Sequence, residues 1–83
     1  MSERNKGWIP VKDRLPEEPK GEPFYYLHEE NVAADEYIVM IRGAVLPTAL
    51  FWTGREWFEP YSEDVYDDVI AWRPFPEPYI EEG

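Results

Sequence analysis

The sequence predicts a small, mainly β single domain, with room for one short helix that would make it a small α+β fold. Three observations carry this. Residues 37–58 are dense in β-branched and aromatic side chains and contain two glycine-first dipeptides suited to tight turns, Gly43-Ala44 and Gly54-Arg55. Val69 to Arg73 is a strand-like run that passes straight into alternating prolines at Pro74, Pro76 and Pro78. The bulk for a core comes from four Trp, six Tyr and four Phe, each able to bury on the order of 150–250 Å².

That aromatic content matters because a chain of 83 residues buries only about 60–65% of its unfolded surface. Staples, a partner or unusually large side chains must make up the difference. Cysteine is absent, which excludes disulfides and thiolate metal sites, and the lone His28 excludes a histidine-rich metal site. No cofactor is expected. A core of few, bulky pieces is the remaining compensation.

The formal charge of -10 arises from eighteen acids against eight bases. Binding to nucleic acid or to an anionic membrane needs clustered Lys and Arg, so neither is expected, and a protein partner should be neutral or basic. No apolar run approaches the roughly 18 residues of a membrane span. Met1 to Lys6 lacks a following apolar stretch, so a secretory signal is not expected either. The expected location is the cytoplasm.

Taken in order, Met1 to Gly7 is polar and expected to be flexible, and a single domain is expected over residues 8–80, with residues 81–83 flexible again. Trp8, Ile9, Pro10 and Val11 read as an edge strand or extended arm, because Pro10 cannot serve a central ladder. Lys12 to Pro16 turns the chain, with Asp13 able to cap its own backbone. The next segment, to Pro23, is rich in proline and charge and reads as loop. Phe24 to Glu36 reads either as a short helix or as a long ordered loop, with its apolar start packed and its acidic middle solvated.

Two-residue turns at Gly43-Ala44 and Gly54-Arg55 would set Arg42 opposite Val45 and Thr53 opposite Glu56, which fixes the register of a three-stranded antiparallel meander by counting. Tyr37, Val39, Ile41, Leu46, Thr48, Leu50, Trp52 and Trp57 then share one face; Ile38, Met40, Val45, Pro47, Ala49, Phe51 and Phe58 share the other with Arg42. Both faces are mainly apolar, so the second needs a cover. The candidates are the Trp8 arm, the Phe24 to Leu27 segment, the Val69 to Tyr79 stretch, or a second copy of the chain, which would make a homodimer. Pro47 predicts a bulge or a strand that starts at Thr48. Glu59 to Asp68 reads as an acidic loop, with Ser62 a cap for one helical turn. Val69 to Arg73 adds a fourth strand, and the proline-rich stretch after it reads as a strap that grips the domain through Phe75 and Tyr79.

Two stretches resemble a known family. Trp8 to Pro16 is similar to a Trp-Ile-x-Val-x-Asp/Glu-Arg-Leu-Pro signature, and Trp72 to Pro78 to a Trp-Met-Pro-Leu-Pro-Glu-Pro signature. Both resemble domain of unknown function 551, small proteins typical of phages, prophages and bacterial genomes. Arg73 stands where methionine is usual and Phe75 where leucine is usual; Glu22 to Glu36 is longer than in many members. The resemblance implies a phage or prophage accessory protein acting in a bacterial host cell, and implies no activity or catalytic residue.

Several side chains invite sharper readings. The carboxylates at Glu63, Asp64, Asp67 and Asp68 lack the spacing and central glycine of a calcium loop, so a solvated acidic segment is the better reading. His28 beside Glu29 and Glu30 lacks a neighbouring nucleophile or metal and reads as a surface histidine. Asp13 and Arg14 form a polar pair beside the Trp8 arm, where turn capping and ion pairing explain them as well as function does. Trp57 represents the aromatic surplus, which suits binding hot spots as well as a core. The expected function is a non-enzymatic protein-interaction module whose partner surface draws on Asp13, Arg14, Trp57, Glu63, Asp64, Asp67 and Asp68. The alternative is an acidic mimic of nucleic acid that occupies a host DNA-handling enzyme, and a small hydrolase or metal-dependent enzyme ranks last.

Overall fold

A computed structural model of the chain describes residues 5–81. Among them there is no helix. The fold is mainly β, as expected, but with eight strands in place of three or four: β1 (Ile9–Pro10), β2 (Tyr25–Leu27), β3 (Glu30–Val32), β4 (Asp35–Ile41), β5 (Thr48–Trp52), β6 (Trp57–Glu59), β7 (Asp64–Tyr66) and β8 (Val69–Arg73). Six of them form one antiparallel sheet in the order β1-β8-β4-β5-β6-β7, and β2 pairs with β3. Of the amino-terminal stretch expected to be flexible, residues 1–4 lie outside the described residues, and so do 82–83 at the other end. Asn5 to Gly7 form a turn in which Trp8 N donates to Asn5 O at 3.1 Å.

The central register is the one counted from the glycine turns, but the first turn is not the expected Gly43-Ala44 one: Ala44 N donates to Ile41 O at 2.9 Å, which makes Arg42 and Gly43 its central residues, and Leu46, expected on the inner face, is 74% exposed in the connection to β5. Tyr37 stands opposite Leu50, Val39 opposite Thr48 and Trp52 opposite Trp57, as counting from the two dipeptides requires. Gly54 has φ +97, a conformation closed to most side chains, and Thr53 N donates to Glu56 O across it at 3.0 Å. Strand β5 starts at Thr48, directly after Pro47. The edge position of Pro10 also holds: β1 is an outer strand, paired only with β8.

One connection fixes the shape of the sheet. Asp67 and Asp68 alone join β7 to β8, which lie four places apart in the strand order. On a flat sheet at about 4.8 Å per strand the gap is about 19 Å sideways, while three residue steps reach at most about 11 Å. The sheet therefore curls toward a barrel, with staggered strands bringing Tyr66 near Val69. Val39, Leu50, Trp52, Trp57, Val69 and Trp72 fill its inside, with Ile9, Val11, Tyr37, Ile41 and Tyr66 packed against them. The Tyr37 ring stands edge-on to both Trp57 and Trp72, at 6.1 and 5.1 Å between centroids.

Three expectations are corrected. Phe24 to Glu36 is neither helix nor loop but the β2–β3 hairpin followed by the start of β4, turning at His28 and Glu29 with φ of +53 and +63. This hairpin covers the outer face of the sheet: the Tyr25 ring lies 4.9 Å from Phe51 and 6.2 Å from Phe58, and Leu27 and Phe58 are 1% and 0% exposed. Glu59 to Asp68 is not a plain acidic loop, since Asp64–Tyr66 pairs with β6 through a four-residue connection. The proline strap does not grip the domain through both of its aromatics; Phe75 is half-covered at 45% exposed, but Tyr79 and Ile80 are 89% and 78% exposed. Tyr25 and Leu27 already cover the outer face over Phe51 and Phe58, where the strap was expected.

Candidate functional site

The two stretches that carry the family signatures lie side by side. Strand β1 pairs with β8 so that Ile9 stands opposite Trp72 and Pro10 opposite Ala71, and Val11 N extends the ladder to Ile70 O at 3.0 Å. Asp13 N and Arg14 N both donate to Pro10 O, folding the chain back beyond the strand. This backbone turn closes where Asp13 was expected to cap. It brings the Arg14 carbonyl to the Trp72 indole, whose Nε1 donates to it at 3.0 Å, and sets the Arg14 guanidinium 5.8 Å from the Trp72 ring. One row further, the Arg73 guanidinium sits 5.7 Å from the Trp8 ring. Each signature thus supplies an arginine to a tryptophan of the other, a cation–π arrangement.

A pocket of about 690 Å³ lies along this junction, walled by Trp8, Ile9, Pro10, Met40, Ile70 and Ala71, with Asn5, Asp13 and Arg14 adding polar groups. The mixture of apolar walls and a few polar groups is that of ordinary binding sites. Among the described residues neither Arg14 nor Arg73 lies within ion-pair distance of a carboxylate; the one such contact is His28 Nε2 with Glu56, at 3.1 Å. That contact ties the β2–β3 turn to the β5–β6 turn and lines a second, more polar cleft.

Residues 7–79 match a family described as "Protein of unknown function (DUF551)". The chain belongs to the DUF551 family. No curated protein and no solved structure matches it. In this DUF551 protein the two signatures are two halves of one structural junction.

The other expected site residues are placed differently. Trp57 is 5% exposed and belongs to the inner core, so it is removed from any exposed partner surface. Glu63 lies in the β6–β7 connection with φ +59, Asp64 opens β7, and Asp67 is exposed; the Asp68 carbonyl accepts Arg42 N at 2.8 Å. None of these four acids lines the Trp8 pocket. Two of them, Asp64 and Asp68, act with Glu59 on Tyr66, whose phenol is pushed above 10.0 first by burial and then by Glu59, Asp64 and Asp68, with a hydrogen bond to Glu59 adding to it. Among the described residues no group of three or more His, Cys, Asp or Glu side chains is arranged to hold a metal, and no helix is long and apolar enough to cross a membrane. Sequence reasoning singled out Asp13 and Arg14 but missed Met40 and Ala71. Their signal was present in the meander count, which puts Met40 on the outer face; the pairing of β8 with β4 was needed to complete it.

Proposed function

We propose that this DUF551 protein is a non-enzymatic protein-binding module, of the accessory type that phages and prophages carry, and that the Trp8 pocket is where its partner docks. The pocket itself carries the reading. It has apolar walls large enough for a bulky side chain, an arginine at Arg14 that has no ion pair among the described residues and can meet a carboxylate, and a position on the outer strand β1, where an extended segment can lie without displacing any pairing. The ligand is therefore an extended segment with an apolar anchor and an acidic flank.

Selection of short random peptides on the folded protein tests this. Peptides with an aromatic or branched apolar residue beside an acid are expected to emerge, and Ala71→Arg, which fills the pocket from β8, should weaken them about ten-fold or more. Circular dichroism establishes that the variant keeps its fold. Peptides that bind wild type and Ala71→Arg equally would place docking elsewhere and end the proposal.

A further inference from the structure

We infer that the docking partner is a second copy of this chain, with each proline strap seated in the Trp8 pocket of the other; the inference rests on the pocket reading above and names its ligand. The strap has the chemistry the pocket selects. Tyr79 and Ile80 are large apolar side chains left 89% and 78% exposed, and they lie between Glu77 and Glu81. The pocket offers apolar walls and the guanidinium of Arg14, which has no ion pair among the described residues. Arg14 gives Glu77 or Glu81 an opposite charge to meet, even though Asp13 on the same wall and the chain as a whole are acidic.

The strap cannot enter the pocket of its own chain. Proline at every second position from Pro74 to Pro78 fixes its own φ and holds the residue before it, Arg73, Phe75 or Glu77, in an extended conformation. A tight turn needs a helical or positive-φ residue after its proline, and Phe75 and Glu77 are each followed by another proline. The strap thus leaves β8 as a stiff rod of about 3.1 Å per residue. It carries Tyr79 away from Ile70 and Ala71, which line the pocket only a few residues before the rod begins. A second copy related by a two-fold axis receives the strap without any bend, and the exchange is reciprocal and closed.

The surface area leaves room for such a partner. The chain exposes 6801 Å², about 1,600 Å² more than the roughly 5,200 Å² that mass scaling gives for a compact 9.9 kDa monomer. A standard interface removes about 800 Å² from each partner, so the excess is sufficient.

Sedimentation analysis across the micromolar range tests the exchange with three chains: wild type, Ala71→Arg with its pocket filled, and Tyr79→Ser/Ile80→Ser with an intact pocket but no anchor. Both strap residues are exposed, so the double variant is not expected to disturb folding. Wild type should sediment at about twice 9.9 kDa, each variant alone as a monomer, and a mixture of the two variants should recover a fraction of heterodimer through its one intact junction. A wild-type monomer, or a double variant that still dimerises, would overturn the exchange. If wild type is monomeric but a synthetic peptide of residues 73–81 binds it and not Ala71→Arg, the exchange is overturned while the pocket reading stands. If that peptide binds neither, both fall.

Discussion

Two buried tryptophans show how one hydrogen bond separates residues that look equivalent in sequence. Trp52 and Trp72 are 4% and 6% exposed and both line the inner face. The Trp72 Nε1 has the Arg14 carbonyl at 3.0 Å, whereas the Trp52 Nε1 is buried with no partner among the described residues. Replacement by Phe removes similar bulk at each position, but at Trp72 it also strips a carbonyl of its donor, and at Trp52 it relieves an unpaired one. Trp72→Phe should therefore cost about 1–2 kcal/mol more than Trp52→Phe in urea unfolding. Two tyrosines make a pH prediction of the same local kind. Burial, then Asp35 and Glu17, raise the phenol of Tyr37 above 10.0, and Tyr66 is raised as described. Below the unfolded pKa both states keep the proton and the contribution is full. Above it the unfolded chain loses protons first, so stability falls as pH rises through about 10 toward the folded values. Denaturation at about pH 9 and about pH 11 should show this fall, and Tyr37→Phe and Tyr66→Phe should each reduce it.

At the scale of elements, legibility depended on turn chemistry. The β4–β5–β6 register could be counted because Gly43 and Gly54 announce their turns, with φ of +83 and +97. The β2–β3 hairpin could not, because its turn is built from His28 and Glu29, which adopt positive φ without being glycine or asparagine. Strand β7 was hidden because Asp64, Asp67 and Asp68 look like a solvated loop, while the strand is a short outer one with little burial to reveal it. The strap was misplaced for the opposite reason: Phe75 and Tyr79 suggested burial, and Tyr25 and Leu27 had already taken the face they would have covered. Of the site, Asp13 and Arg14 were legible as a polar pair, but the pocket walls come from three strands that only pairing assembles. These turns can be tested against each other. Gly54→Ala places a Cβ 3.0 Å from Glu18 Cγ in a positive-φ conformation and should destabilise by about 1–2 kcal/mol. Glu29→Gly relaxes a turn that glycine favours and should stabilise by about 0.5 kcal/mol, both read from chemical denaturation.

For the whole molecule, one geometric fact links fold to function: the first and last strands, β1 and β8, pair. The Trp8 arm closes the outer side of β8, and the strand that completes the sheet continues into the strap without a break. A domain that spends its aromatic content on two faces, with Val39, Leu50 and the tryptophans inside and Tyr25, Phe51 and Phe58 outside, has a core on both sides of one sheet. The Trp8 pocket and the strap remain as the unsatisfied apolar surfaces at the junction of β1 and β8. The most direct measurement is nuclear magnetic resonance on the isotope-labelled Tyr79→Ser/Ile80→Ser chain, titrated with a synthetic peptide of residues 73–81. The pocket assignment predicts shifts concentrated at the Trp8 indole, Arg14, Met40 and Ala71, lost in Ala71→Arg. Shifts centred on the β6–β7 hairpin, or none at millimolar peptide, would contradict it.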